Sequence, residues 1–180
     1  MTIDYAKEIA RRIHPHIDHP GRVAALVEEY GGSEKAICLA WLHDIMEENP
    51  EGFCTLTGVE NISMKSKWYL EVKKLKDWSN FAFDLARLSE HWDSVQQDIK
   101  TRGRRCYLTS FLLDANLDVL LVKLSDILAS VEENSDFILE KIYFNAVRNL
   151  IRSWRLDLTE GHRKLAERIR STIKGKKNDK

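Results

Sequence analysis

Glycine and proline are scarce in this chain, which holds 8 Gly and 3 Pro among its 180 residues. Long stretches without either residue favour helices over a β fold with many turns. No segment approaches the roughly 20 apolar residues that cross a bilayer. The N-terminal segment MTIDYAKEIARRIH also lacks the continuous apolar stretch of a signal peptide. We therefore expect a soluble, cytoplasmic protein without a membrane partner.

Cysteine is also scarce, and neither positive nor negative charge is in excess. Cys38, Cys54 and Cys106 are isolated and do not have the spacing of a metal knuckle, so we expect reduced thiols, with Cys38 in the core. The 28 basic and 28 acidic residues cancel, and bulk charge therefore does not direct the chain to nucleic acid. An apolar content of 43% suits one folded domain, and a homodimer is left open.

Apolar residues recur at helical spacing almost throughout the chain, which predicts a compact all-α domain over residues 1–173 and a disordered basic tail over 174–180. We expect helices at about 2–14, between Pro20 and Gly31, at 34–48, twice within 64–100, and at 106–114, 117–133, 135–155 and 159–173. Ser33 is the expected N-cap of the third helix. Residues 51–63 and the basic segment 101–105 are expected to be loops.

The third predicted helix carries polar residues on its apolar face. Ala36, Leu39, His43 and Glu47 share one face at steps of three and four residues, and Asp44 lies one position round. Buried charge without compensation costs several kcal/mol or more. A divalent cation would satisfy both the imidazole lone pair and the carboxylate.

Asp126 repeats this pattern in the segment LDVLLVKLSDILASV, because it shares a face with Val119, Val122 and Ala129. The alternatives are a hydrogen-bonded core histidine at His43 and an ion pair between Asp126 and Lys123. The remaining histidines outside the candidate set are expected at the surface or in loops: His14, His16, His91 and His162. Spacing alone therefore predicts a metal site without establishing one.

The order His19, then His43-Asp44, then Asp126 resembles the H…HD…D signature of the HD-domain metal-dependent phosphohydrolase superfamily. The segments DHPGRVAALV, ICLAWLHDIMEEN and LLVKLSDIL are similar to the surroundings of that signature. The motifs PHIDHP, HDIMEE and KLSDILAS are most similar to the SpoT-like branch, which hydrolyses guanosine tetraphosphate-type alarmones. The resemblance implies a helical HD domain with phosphohydrolase activity.

The resemblance also implies roles for individual residues. One divalent ion would be held by His19, His43, Asp44 and Asp126. Manganese is favoured for this ion, and Fe²⁺ or Co²⁺ also suits a mixed N/O donor set. Glu47, with Glu48 beside it, would orient or deprotonate the attacking water.

Charge that develops on a transferred phosphoryl group needs cations, and the candidates are Lys123, Arg102, Arg104 and Arg105. A solvated loop is the alternative for these three arginines. Ser130 occupies the position of the family's substrate-binding asparagine. The family's upstream arginine has only Arg11 or Arg12 as candidates, and Arg12 is included in the predicted substrate site.

Three functions remain open for a small-molecule nucleotide substrate. The first is a pyrophosphohydrolase that removes diphosphate from the 3′ side of a guanosine polyphosphate. The second is an HD-type nucleoside monophosphate phosphatase, a 5′-nucleotidase. The third is a non-catalytic metal-binding protein, against which the presence of Glu47 argues, because a structural site needs no water-activating glutamate.

Overall fold

The computed structural model describes residues 1–13, 16–49, 51–52, 79–89, 93–133 and 137–178. All regular structure in these ranges is helical, which confirms the all-α prediction. The helices are α1 (Ile3–Ile13), α2 (Asp18–Glu29), α3 (Glu34–Leu42), α4 (Ile45–Glu48), α5 (Ser79–Leu88), α6 (Asp93–Arg102), α7 (Arg104–Asp114), α8 (Leu117–Glu132), α9 (Phe137–Arg152) and α10 (Glu160–Asn178). None of these helices is long and apolar enough to cross a membrane.

Helix α8 lies at the centre of the core, where it packs against α2, α3, α5 and α10. Its side chains at Leu120, Leu124 and Leu128 are completely buried. Burial of each leucine contributes about 1.5–3 kcal/mol, so the position of this helix is strongly determined. Any polar side chain on α8 is therefore placed with the same precision.

Side-chain caps start the two helices that are most important for the site. Ser33 Oγ accepts a hydrogen bond from the Ala36 N–H at 3.0 Å, which confirms the predicted N-cap of α3. Asn116 Oδ1 accepts from the Val119 N–H, also at 3.0 Å, and caps α8 in the same way. Each cap satisfies a backbone donor that the first helical turn leaves unpaired.

The single helix predicted over 34–48 is broken at His43 and Asp44, which form a turn between α3 and α4. The His43 ring donates from Nδ1 to the Ala40 carbonyl at 2.8 Å. In a continuous helix that carbonyl would pair with the N–H of Asp44. The side-chain bond thus replaces a helical bond at the point where the polar residues occur.

The basic segment at 101–105 is not the predicted loop. Arg102 ends α6 and Arg104 begins α7, so Gly103 alone separates the two helices. Gly103 has a φ of +84°, a backbone conformation that glycine adopts without the steric cost of a Cβ. Helices α5 and α6 are separate and lie in or next to the segment 64–100, for which the sequence predicted two helices.

The predicted disordered tail from residue 174 is wrong for residues 174–178, because α10 continues to Asn178. Lys176 anchors this end, with its Nζ 3.2 Å from Glu140 Oε1 and hydrogen-bonded to the Val131 carbonyl. Most of the predicted 51–63 loop and the first of the two helices predicted within 64–100 lie outside the described residues.

His162 is buried, which corrects the prediction that it lies at the surface or in a loop. Its Nε2 donates to the Leu117 carbonyl at 2.9 Å, and its Nδ1 accepts from Thr159 Oγ1 at 2.6 Å. His16 is exposed and Cys38 is buried, as predicted. The predictions for His14, His91 and Cys54 concern positions that the structure does not describe.

Candidate metal centre

Three parts of the fold bring the four predicted ligands together. His19 lies in the first turn of α2, His43 and Asp44 form the turn between α3 and α4, and Asp126 projects from α8. Helices α2, α3 and α8 pack on one another. Residues distant in sequence thus meet where an apolar core helix presents a carboxylate.

The donor atoms of these residues are spaced as ligands of one ion would be. His19 Nε2 lies 3.4 Å from Asp126 Oδ1 and 3.9 Å from Asp44 Oδ2. His43 Nε2 lies 3.9 Å from Asp126 Oδ1 and 3.0 Å from Asp44 Oδ2. Ligand bonds of about 2.0–2.2 Å place neighbouring donors roughly 3.0–3.5 Å apart. One atom each from His19, His43 and Asp126 lies within 4.8 Å of the others. Asp44 is outside this group of three, and its Oδ2 lies beside it, 3.0 Å from His43 Nε2.

Hydrogen bonds fix the tautomer of both rings. His43 Nδ1 faces the Ala40 carbonyl at 2.8 Å, and His19 Nδ1 faces Glu133 Oε2 at 2.9 Å. A carbonyl and a carboxylate can only accept, so each Nδ1 carries the hydrogen when the ring is neutral. The lone pair of each Nε2 then points toward the aspartates, as in histidine ligands generally.

His43 Nε2 provides the test of whether a metal fits. This atom is buried and finds no hydrogen-bond partner among the residues that the structure describes. Asp44 Oδ2 is close to it, but not in a direction that makes a hydrogen bond. A buried nitrogen left unpaired costs about 1–3 kcal/mol, and a cation between the two groups would remove that cost.

The aspartates make the site favour positive charge. A hydrogen bond to Asp126 is the largest effect that raises the pKa of His19, to about 9. Burial lowers the pKa of His43, but Asp44, Asp126 and the bond to the Ala40 carbonyl together outweigh burial and raise it. Burial alone would raise the pKa of Asp126, yet Lys123 and the histidines hold it far below its usual range. A divalent cation meets the same electrostatic demand as the protons on these rings.

The site opens into a pocket of about 410 Å³, and four other predicted residues line it: Glu47, Arg104, Lys123 and Ser130. Ser89 Oγ donates to Glu47 Oε1 at 3.3 Å, and Lys123 Nζ lies 3.0 Å from Asp126 Oδ2. The ion pair with Lys123, which was the alternative to a metal at Asp126, is therefore present on Oδ2, whereas Oδ1 faces the two histidines. Ligand pockets typically have volumes of about 300–1,000 Å³, and the volume of this pocket lies within that range.

Besides the buried His43, four other residues of the predicted site do not line this pocket. Arg12 is exposed and pairs with Glu8 on α1, and Arg102 pairs with Asp98 on α6. Arg105 and Glu48 are exposed and lie outside the pocket wall. The structure therefore does not bring Arg12, Arg102, Arg105 and Glu48 together with the proposed ligands.

The structure adds residues that sequence reasoning missed. Glu133 bonds His19, whereas Gln96 and Tyr143 line the pocket. Glu133 follows Asp126 by seven positions, about two helical turns, so helical phase contained a signal for it. Gln96 and Tyr143 come from α6 and α9, and no spacing relates them to the ligands.

A scan against protein-family models, a search of curated proteins and a search of solved structures each find no match to this chain. The assignment of function therefore depends on the geometry of the site and on the motifs quoted above.

Proposed function

We propose that this protein is a metal-dependent phosphohydrolase that acts on a nucleotide, with a guanosine polyphosphate 3′-pyrophosphohydrolase as the first candidate. One observation carries the proposal: two histidines with anchored Nδ1 atoms direct Nε2 toward Asp126 and Asp44 at the mouth of a pocket. Glu47 lines the same pocket. The ordered resemblance to the HD superfamily supports the same chemistry.

A divalent ion at this position would lower the pKa of a bound water and polarise a phosphoryl group. Manganese is our first choice among the ions that suit two imidazoles and two carboxylates, with Fe²⁺ and Co²⁺ as alternatives. Glu47, whose Oε1 accepts a hydrogen bond from Ser89, would accept the proton of the attacking water. Arg104 and Lys123 line the pocket and supply positive charge for the phosphoryl oxygens.

The position of Ser130 weakens the first candidate, and we therefore retain a second, an HD-type nucleoside monophosphate phosphatase. Its Oγ donates to Asp126 Oδ1 at 3.4 Å, so its hydroxyl hydrogen is directed at a proposed metal ligand. In the SpoT-like branch an asparagine at this position helps to hold the substrate. A short hydroxyl side chain reaches less far, which weakens the alarmone assignment without affecting the metal ligands.

The test is a screen of the Mn²⁺-loaded protein against nucleoside mono-, di- and triphosphates and guanosine tetraphosphate. Pyrophosphate and orthophosphate are detected separately. Release of pyrophosphate from guanosine tetraphosphate supports the first candidate, and orthophosphate from a monophosphate supports the second. Stoichiometric Mn²⁺ binding with no turnover of any substrate would support the non-catalytic alternative. A protein that binds no Mn²⁺ at all would refute the central proposal.

A further inference from the structure

We infer that Glu133 is a positioning residue that holds the His19 ring in its metal-binding orientation. This inference rests on the metal site of the proposed function and does not require catalysis.

The contact between Glu133 and His19 is direct. Glu133 Oε2 lies 2.9 Å from His19 Nδ1 and accepts its hydrogen. The ring is thereby turned so that Nε2 faces Asp126 Oδ1 at 3.4 Å. A rotation of the ring by half a turn about the Cβ–Cγ bond would put Cδ2 in the place of Nδ1 and Cε1 in the place of Nε2, and would break both contacts. Glu133 thus holds Nε2, and not a ring carbon, toward the aspartates.

Glu133 is itself held in place by two contacts. It is the C-cap residue of α8, and its backbone N–H bonds the Ala129 carbonyl at 2.9 Å. Its second carboxylate oxygen, Oε1, lies 3.7 Å from Arg22 Nη1. Arg22 follows His19 by three positions on α2, so both side chains leave the same helix face. The carboxylate therefore spans two neighbouring residues of α2.

The solvent exposure of the His19–Glu133 pair indicates that Glu133 positions the ring and contributes little to the stability of the fold. The side chains of His19 and Glu133 are 26% and 38% exposed. Ion pairs with this much access to water contribute about 0–1 kcal/mol to folding. Removal of Glu133 should therefore leave the fold intact. Loss of an outer-shell carboxylate typically weakens metal affinity about 10–100-fold, because the ligand ring is less basic and less ordered.

The neighbouring Glu132 provides a matched control. It is also an acid at the end of α8, but it bonds Arg22 and Arg168 and makes no contact with His19. A change at Glu132 removes ion pairs from the same helix end without releasing the His19 ring. The two positions therefore distinguish ring orientation from general disturbance of this end of α8.

The experiment measures Mn²⁺ affinity of the full-length wild type, E133A, E133Q and E132Q, together with the melting temperature of each metal-free protein. We expect E133A to bind Mn²⁺ about 10–100-fold more weakly, at an unchanged metal-free melting temperature. E133Q keeps an acceptor but loses the charge, so its affinity should fall between those of E133A and wild type. E132Q should stay within about threefold of wild type.

Wild-type Mn²⁺ affinity in folded E133A would overturn the inference, as would an equal loss in E133Q and E132Q. If E133A does not fold, the comparison of E133Q with E132Q decides. Failure of the proposed function is a different result: wild type would bind Mn²⁺, and E133A would bind it weakly, but no nucleotide would be hydrolysed. If wild type binds no Mn²⁺, both proposals fall together.

Discussion

Two neighbouring acids on α4, Glu47 and Glu48, have the same charge and different surroundings. Glu47 lines the pocket and accepts a hydrogen bond from Ser89, whereas Glu48 is exposed. Sequence motifs assign both acids to catalysis, and only the fold separates them. The difference is testable because one residue serves as the control for the other.

We predict that Glu47→Gln keeps Mn²⁺ binding and lowers kcat by about 10²–10⁴, since a glutamine cannot accept the proton of the attacking water. Metal stoichiometry and steady-state hydrolysis of the nucleotide identified in the screen would be measured together. Glu48→Gln should leave both within about twofold of wild type. Full activity in Glu47→Gln would remove this residue from the mechanism.

His162 shows what the sequence could not reveal about a single residue. Its ring bonds the Leu117 carbonyl and Thr159 Oγ1, so the neutral form is satisfied inside the fold. Burial lowers its pKa, while Arg155 lowers it and Asp157 raises it to smaller extents. Asp118 also faces it and raises the pKa. The residues that contact His162 or shift its pKa come from separate loops and helices, so no local sequence motif could have predicted them.

The lowered pKa of His162 predicts a pH dependence of stability. Above about pH 6.5 the ring is neutral in both states and its full contribution is present. Below that pH the unfolded chain binds the proton before the folded protein does, so the free energy of unfolding falls. Relative to His162→Gln, wild type should lose at most about 1.4 kcal/mol per pH unit between pH 6.5 and 5, measured by urea unfolding. Parallel curves for the two proteins would contradict this prediction.

The candidate site was predictable where helical phase and motif order agreed. His43 and Asp126 lie on apolar faces, and the H…HD…D order added His19 and Asp44. Which arginine of the basic segment lines the pocket was not predictable, because a run of basic residues does not show which one faces a pocket. Of that run, Arg104 lines the pocket.

At the scale of helices, apolar periodicity predicted the elements and missed their breaks. The segment AICLAWLHDIM has continuous helical periodicity, although the chain turns at His43 and Asp44. At the break the His43 ring bonds the Ala40 carbonyl, a side-chain contact that hydrophobic spacing does not contain. The sequence similarly predicted a longer loop around Gly103, although one glycine with positive φ suffices to separate the two helices.

Helix caps give a prediction about the elements that carry the ligands. Asn116 caps α8, and its Nδ2 also donates to Asp84 Oδ1 at 2.6 Å. Asp84 is buried, and its other carboxylate oxygen pairs with Lys35 at 2.5 Å. Ser33 caps α3, and its second contact is the less buried Asp118. Removal of the Asn116 side chain therefore takes a partner from a buried carboxylate, whereas removal of the Ser33 side chain takes one from a more exposed carboxylate.

We predict that Asn116→Ala lowers the free energy of unfolding by about 2 kcal/mol and Ser33→Ala by about 1 kcal/mol. The larger effect follows because Asp84 loses a partner inside the protein. Urea unfolding of both variants beside wild type measures the difference. An equal or reversed order would show that the bond to Asp84 does not stabilise the fold.

On the scale of the whole molecule, the proposed ion would join α2, the turn after α3, and α8. A ligand that binds only the folded state stabilises it by about 2.7 kcal/mol at a concentration 100 times its Kd. For a protein of this size, that corresponds to a rise of about 5–10 °C in Tm. We expect Mn²⁺ to raise Tm by this amount and a chelator to reverse it. Asp126→Asn should show no rise, and an equal rise in that variant would place the ion elsewhere.

The C-terminal residues are the part of the molecule for which composition was most misleading. The segment GKKNDK is polar and basic, which is typical of a disordered tail. In the fold, Lys176 meets Glu140, whose side chain is 6% exposed, and also bonds the Val131 carbonyl near the end of α8. A buried acid in one helix thus orders a lysine from another, a long-range effect that composition does not contain.

Lys176→Met should therefore lower the free energy of unfolding by about 1–3 kcal/mol, because Glu140 would be left buried without this partner. The exposed Lys174 provides the control, and Lys174→Met should change stability by less than about 0.5 kcal/mol. Urea unfolding of both variants tests this, and Lys176→Met with Glu140→Gln should regain part of the loss. If both lysine variants unfold like wild type, residues 174–178 behave as the tail that their composition suggests.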